Sequence, residues 1–330
     1  MIRNNFFSME YLPWPFGCKL TGQSTHPPSA LAPVARLGAM LLCLFLAGCT
    51  SLPDPVPPTP MPAVPAAAVK RPPKVGLALG GGAARGFAHV GVIQVLEEAG
   101  LKPDLVVGTS AGSLVAAIYA SGKSGGQLQQ IALQMEEATL ADWTLPFFGR
   151  GVLRGDALGR YVNQQVGGIP IDAMALPLGI VATDLQSGEG IVFRVGDTGL
   201  AVRASSAVPS VFQPVRIGNR EYVDGGLVAP VPVRYARQMG AELVIAVDIS
   251  SEPQANSADG ALQVLLQTFA IMGKSINAFE LLGADVLVRP RLNTVGGADF
   301  AARRRSIDAG RAAMLAALPL YRAKLAELAR

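Results

Sequence analysis

From Val75 onward, short apolar runs alternate with longer mixed segments. Val75-Gly-Leu-Ala-Leu79 is continuously apolar and ends in glycines, the pattern of a short strand buried on both faces. Phe87 to Ala99 reads as a largely buried helix that stops at Gly100. Asp104-Leu-Val-Val107 predicts a second strand, followed by a glycine turn and an apolar helix from Leu114 to Ala120. Further strand-like runs are Leu178 to Thr183, Ile191 to Val195, Leu243 to Ile249 and Val286 to Val288. Val215 to Ile217 and Glu221 to Val223 flank Gly218-Asn219 as the arms of a hairpin. Strand–helix alternation of this kind predicts an α/β fold with a mostly parallel sheet covered on both faces.

Before Val75 the pattern is different. Leu37 to Ala47 is an apolar run too short for a transmembrane helix, which needs roughly 20 residues. Arg36 precedes it and Leu46-Ala47-Gly48-Cys49 closes it, the layout of a secretory signal. The closing tetrapeptide resembles the lipobox of bacterial lipoproteins, which implies that Cys49 is lipidated and becomes the mature N-terminus. The residues ahead of the apolar run outnumber an ordinary n-region, so the leader is long or translation starts further downstream. Ser51 to Lys74 carries nine prolines in 24 positions, a composition that favours extended polyproline chain and builds no core. The expected organisation is a leader and signal peptide over 1–48, a Pro-rich tether over 49–74 and a catalytic domain over 75–330.

Composition narrows the chemistry. Half of the 330 residues are hydrophobic and 16% are charged, which excludes global disorder. Six basic residues (Arg3, Lys19, Arg36, Lys70, Arg71 and Lys74) and two acidic ones (Glu10, Asp54) precede Val75, so the leader holds the formal net charge of +4. The body is formally neutral and has no basic excess to supply a nucleic-acid footprint. All three cysteines (Cys18, Cys43, Cys49) also precede it, which removes internal disulfides, thiolate nucleophiles and cysteine zinc sites from the body. His89 is its only histidine.

Gly108-Thr-Ser110-Ala-Gly112 matches the G-x-S-x-G nucleophile elbow, with a strand before it and a helix after it as that motif requires. Gly80-Gly81-Gly82-Ala83-Ala84-Arg85-Gly86 fills the equivalent turn of the preceding strand–helix unit, so both turns should open at one carboxyl edge of the sheet. Backbone N–H groups there suit an oxyanion hole. Phosphate binding fits poorly. No lysine-hydroxyl pair follows Gly86, and a dinucleotide fingerprint fails at Arg85 in one register and at Ala83 in the other. Arg85 either meets an anionic head group or braces the loop. For the base that a serine needs, the candidates are His89 and the strand-end carboxylates Asp184, Asp224 and Asp248. Val223-Asp224-Gly225-Gly226 stands out because its glycines allow close approach.

Together these segments resemble the patatin-like phospholipase family, whose members pair a G-x-S-x-G serine with a D-G-[GA] aspartate and a glycine-rich oxyanion loop, without histidine. The resemblance covers Val75 to Pro232 well and includes Ala207 to Val215 ahead of the aspartate. It implies a three-layer α/β/α fold, Ser110 as nucleophile, Asp224 as base, and an oxyanion hole drawn from Gly80, Gly81, Gly82, Ala83, Arg85 and Gly86. It further implies a phospholipid or lysophospholipid acyl ester as substrate, with neither cofactor nor metal. The alternatives are an esterase or thioesterase on non-membrane substrates and a non-catalytic envelope lipoprotein. A lipidated Cys49 followed by Thr50 leads to an expectation of a cell-envelope location, at the outer membrane facing the periplasm, with a phospholipid membrane as anchor and substrate. If the leader is not a functional signal, the location is cytoplasmic. Trp143 to Phe148 reads as core, and Arg303-Arg304-Arg305 as a solvated face.

Overall fold

The computed structural model describes residues 71–136, 142, 150–252 and 260–329, all within the unit that runs from Pro65 to Arg330. The signal, Cys49, the tether up to Lys70 and the Trp143–Phe148 cluster lie outside the described residues.

Five parallel strands form the centre of the sheet: β1 (Val75–Leu79), β2 (Leu105–Thr109), β4 (Leu178–Asp184), β9 (Leu243–Val247) and β10 (Val286–Val288). Their order is β10-β9-β1-β2-β4. β5 (Gly190–Phe193) and β8 (Arg220–Asp224) both pair antiparallel with β4, and β7 (Val215–Ile217) pairs antiparallel with β8. β7 and β8 are the predicted hairpin, turned at Gly218 with φ +63°. β3 (Gly151–Leu153) and β6 (Ser210–Phe212) make a separate parallel pair. Thus the expected mostly parallel sheet is present, and the antiparallel strands gather at its β4 side.

Alternate residues of each central strand feed opposite cores, as the pleat requires. Leu77 and Leu79 of β1, with Leu243, Ile245 and Val247 of β9, pack into the larger core. That core also takes apolar residues of α1 (Phe87–Glu98), α2 (Ala111–Ala120), α3 (Gly125–Gln134), α4 (Asp156–Gln165), α5 (Thr198–Ser205) and α8 (Arg303–Leu328). Ala78, Val244 and Ala246 face the second core, built with Val233, Tyr235 and Ala236 of α6 (Val233–Gln238). α7 (Ala261–Glu280) completes the helices, and its Asn277 accepts the Val231 N–H at 3.2 Å.

Burial on one face or on two explains which elements the sequence reveals. Strands buried on both faces are continuous apolar runs, and the expected boundaries of β1 and β10 match the observed ones. The helices α4 to α8 carry mixed faces, and their apolar positions do not stand out along the chain.

α1 and α8 pack backbone against backbone. A Cβ at Gly91 would collide with the Ile307 carbonyl, and one at Gly310 with the Ala88 carbonyl. Arg303, expected on a solvated face, is instead half-buried and clamps α3 to the start of α8. Its Nη1 donates to the Leu133 carbonyl at 2.8 Å and its Nε to the Phe300 carbonyl at 2.7 Å. Gly310→Ala should therefore force the two helices apart and lower stability by about 1–3 kcal/mol, read from the midpoint of urea unfolding.

Candidate active site

β4 brings the two central residues together. β5 occupies one edge of β4 through Ile180–Thr183. The other edge is shared: β2 places Thr109 opposite Val181, and β8 places Asp224 opposite Ala182. The C-terminal ends of β2 and β8 therefore converge on adjacent β4 residues, and Ser110 is the next residue after Thr109. A Cβ at Gly225 would meet the Val181 carbonyl, so the turn after Asp224 needs glycine to pass so near β4.

Ser110 sits in the strained conformation that an elbow requires, with φ 52° and ψ −123°. The turn is tight enough that a Cβ at Gly108 would strike the Gly112 carbonyl, and one at Gly112 the Leu79 carbonyl. Ser113 holds the turn from the helix side. Its N–H and Oγ–H donate to the Ser110 carbonyl at 2.8 and 2.6 Å. On the strand side the Ser110 N–H donates to Ser205 Oγ at 2.9 Å, and that hydroxyl donates to the Val181 carbonyl at 2.6 Å. Nothing in the sequence marks Ser205, because the contact joins residues 95 apart.

The glycine loop runs beside the elbow. A Cβ at Gly81 would lie 3.1 Å from Ser110 Cβ, and one at Gly86 would lie 2.9 Å from Ala111 Cβ. The expected set of six oxyanion residues divides by hydrogen bonding. The Gly80 N–H donates to the Val247 carbonyl at 3.0 Å and the Gly81 N–H to the Pro230 carbonyl at 2.9 Å. The Arg85 N–H bonds the Gly82 carbonyl at 3.2 Å, and Gly86 lies inside the 3-10 turn Ala83–Gly86. Gly80, Gly81 and Arg85 thus have their N–H groups engaged in holding the loop. Among the described residues, the N–H groups of Gly82 and Ala83 in the loop and of Ala111 and Gly112 after the serine have no protein acceptor. Ala83 is itself at φ 52°. Ala111, the residue after the serine, is a donor position absent from the sequence-derived set, although the elbow motif carries that signal.

Arg85 braces the loop. Its Nε donates to the Ile249 carbonyl at 2.9 Å, and burial lowers its pKa, opposed by Asp248. His89 is wholly buried and its Nε2 lies 2.8 Å from the Gly80 carbonyl. A carbonyl only accepts, so Nε2 carries the proton and His89 donates. Burial pushes its pKa down to about 4, so the ring is neutral near pH 7. His89 supports the loop from beneath.

The carboxylates separate just as clearly. Asp184 pairs with Arg220 at 2.6 Å and accepts the Gln186 and Ser187 N–H groups, and the arginine bond leads in holding its pKa down to about 2. Asp248 pairs with Arg289 at 2.8 Å and accepts from Ser250. Among the described residues Asp224 has no cationic partner. It is 7% exposed, its Oδ1 accepts the Gly226 N–H at 2.6 Å, and its backbone N–H donates to the Ala207 carbonyl at 3.0 Å. Burial pushes its pKa up to about 6, and the Gly226 N–H and the Ser110 side chain partly oppose that rise.

Ser110, Ala83 and Ala111 lie on the wall of a cavity of about 370 Å³. The rest of the wall is almost entirely apolar, including Phe87, Val90, Leu114, Ile118, Met135, Leu158 and Phe212. Among the described residues no three His, Cys, Asp or Glu side chains gather as a metal site would need, and no helix is long and apolar enough to cross a membrane.

Residues 77–237 match the family model described as patatin-like phospholipase, and they contain the loop, the elbow and the aspartate turn. This stretch is similar to patatin-like phospholipase domains. An uncharacterized NTE family protein of Mycobacterium tuberculosis is 33% identical over 218 residues, covering 66% of this chain. The chain spans only 60% of that relative's length. Patatin-like phospholipase domain-containing protein 6 of Mus musculus is 34% identical over 188 residues, which are 54% of this chain and 14% of the mouse protein. The solved structure of VipD from Legionella pneumophila shares the fold, with a TM-score of 0.50 at 16% identity over 76% of this chain and 67% of that one.

A carboxyl group whose folded pKa is raised stabilises the fold below its unfolded pKa and loses that contribution as pH rises through the folded value. For Asp224 this window runs from the ordinary carboxylate range to about pH 6. Asp224→Asn keeps the acceptor for Gly226 but carries no charge to bury. It should be more stable than the parent at pH 7, by up to about 3 kcal/mol, with the difference vanishing near pH 4 in thermal or urea unfolding.

Proposed function

We propose that this chain is a serine acyl hydrolase that cleaves phospholipid or lysophospholipid esters with a Ser110–Asp224 dyad. The observation that carries the reading is the sheet register, which brings a strained serine on the wall of an apolar cavity and a buried carboxyl group to strand ends on adjacent β4 residues. The other strand-end aspartates, Asp184 and Asp248, are already paired with arginines.

In the proposed reaction the acyl chain occupies the cavity and its carbonyl carbon lies at Ser110 Oγ. Asp224 takes the hydroxyl proton as Oγ forms a bond to that carbon. A pKa raised to about 6 makes Asp224 a stronger base than an ordinary aspartate while leaving it mostly ionised at pH 7. The resulting oxyanion takes hydrogen bonds from the N–H groups of Gly82 and Ala83, with Ala111 at the start of α2 as a further donor. The C–O bond breaks and the leaving alcohol takes the proton from Asp224. Water then attacks the acyl-enzyme, returns a proton through Asp224 to Ser110 and releases the carboxylic acid.

The dipole of α2 and the fixed loop amides act where charge develops, beside an almost entirely apolar wall, where such donors stabilise more than in water. Lipid anchoring through Cys49 belongs to the same proposal. A tether holds the body near its substrate and raises the effective concentration, at the outer membrane on the periplasmic side.

Ser110→Ala and Asp224→Asn should each remove hydrolysis in a lipid-class screen while the protein stays folded, and a fluorophosphonate should label the parent at Ser110 alone. His89→Ala should retain measurable turnover. A folded His89→Ala as inactive as Ser110→Ala would assign the base to histidine instead. The acid limb of kcat/KM should fall with an apparent pKa near 6, since protonated Asp224 accepts no proton. Activity on short soluble esters without any on dispersed phospholipid would replace the substrate class. Cys49→Ala should abolish incorporation of labelled palmitate, and unchanged incorporation would remove the anchor.

A further inference from the structure

The hydrogen-bond ladder between β2 and β4 shows what Ser205 does. Val106 donates its N–H to the Pro177 carbonyl at 3.0 Å, with Val106 opposite Leu178. In a parallel pair the rungs repeat every second residue, so the following ones belong to Gly108 with Gly179 and to Ser110 with Val181. The last rung is not made. At φ 52° the chain has already left the strand direction, and the hydroxyl of Ser205 stands in the gap. It accepts the Ser110 N–H at 2.9 Å and donates to the Val181 carbonyl at 2.6 Å, so both ends of the broken rung are satisfied in a wholly buried position.

The next two residues extend the arrangement. Ser206 lies on the cavity wall, and the Ala207 carbonyl accepts the Asp224 N–H at 3.0 Å. One short segment at the end of α5 therefore grips the backbone of both reacting residues.

We propose that Ser205 is a positioning residue for hydrolysis, its hydroxyl replacing the final β2–β4 rung and so holding Ser110 in the elbow that aims Oγ at Asp224. This inference rests on the hydrolase reading above. Without the hydroxyl, the Ser110 N–H recovers its partner only by closing directly on the Val181 carbonyl. That closure extends β2 by one residue, relaxes the elbow and carries Oγ away from the carboxylate. The cavity that holds the acyl chain is unchanged, so the loss falls on kcat rather than KM.

The test compares Ser205→Ala and Ser205→Thr on a soluble p-nitrophenyl ester, with fluorophosphonate labelling of Ser110 alongside. Ser205→Ala should lower kcat by roughly 10- to 100-fold with KM within about twofold, and slow labelling in proportion. Its acid limb should move to higher pH. The influences on Asp224 are burial, the Gly226 N–H and the Ser110 hydroxyl, with no charged side chain among them, and the last of these holds the pKa down. Ser205→Thr keeps the hydroxyl and should recover most of kcat with the limb restored. A folded Ser205→Ala with unchanged kcat and an unmoved limb overturns the inference, as does an equal loss in folded Ser205→Thr. Where Ser205→Ala does not fold, Ser205→Cys replaces it: a weaker donor should give a reduced kcat, and parental kcat overturns the inference. A parent that is not labelled at Ser110 overturns the hydrolase reading itself, whereas a labelled parent matched by Ser205→Ala overturns only the role of Ser205.

Discussion

One edge of β4 receives two strands that approach from opposite directions and stop on adjacent residues. β2 ends opposite Val181 and β8 ends opposite Ala182. Everything at the site follows from this shared edge. Where a strand ends, its chain must turn and its next rung is lost. Two such ends at one place gather turns, glycines and unsatisfied backbone groups close together. The serine follows one end and the aspartate closes the other. Their proximity is therefore set by sheet register, and a shift of either strand would place the side chain on the wrong face of the pleat.

The surroundings hold two unfavourable features in place. Ser110 has a backbone conformation that a side chain rarely adopts, and Asp224 is a buried carboxyl group with no cation beside it among the described residues. Both are supported from outside. Ser113 and Ser205 grip the elbow from either side, while His89 and Arg85 hold the glycine loop from below and behind. The loop amides of Gly82 and Ala83 have no acceptor among the described residues, and Ala83 shares the cavity wall with Ser110. A rigid cradle with spare donors is what stabilisation of a developing negative charge requires, since donors already in place need no reorganisation.

The cavity adds a second layer to the same arrangement. Its wall comes from the consecutive helices α1, α2, α3 and α4 together with the glycine loop, Leu153 of β3, Phe212 of β6 and Phe300 from far along the chain. The apolar lining both accommodates a hydrocarbon chain and lowers the local dielectric. Burial of Asp224 itself raises its pKa to about 6.

Much of this was legible in the chain. Glycine motifs at Gly80–Gly86, Gly108–Gly112 and Gly225–Gly226 announce close backbone approach, because no other residue fits there, and buried strands announce themselves as unbroken apolar runs. Those local constraints are written in residue type, so the sequence determined the fold class, the tight turn at Ser110 and the glycine loop beside it. Other roles depend on partners far along the chain. Asp184, Asp224 and Asp248 look alike at strand ends, and only their neighbours tell them apart: arginines pair with two, while the third closes β8 on the β4 residue next to the end of β2. Tertiary structure alone assigned His89 and Arg85 to bracing, reduced the available loop donors and brought Ser205 to the elbow, since a hydrogen bond between distant residues leaves no periodic trace in either segment.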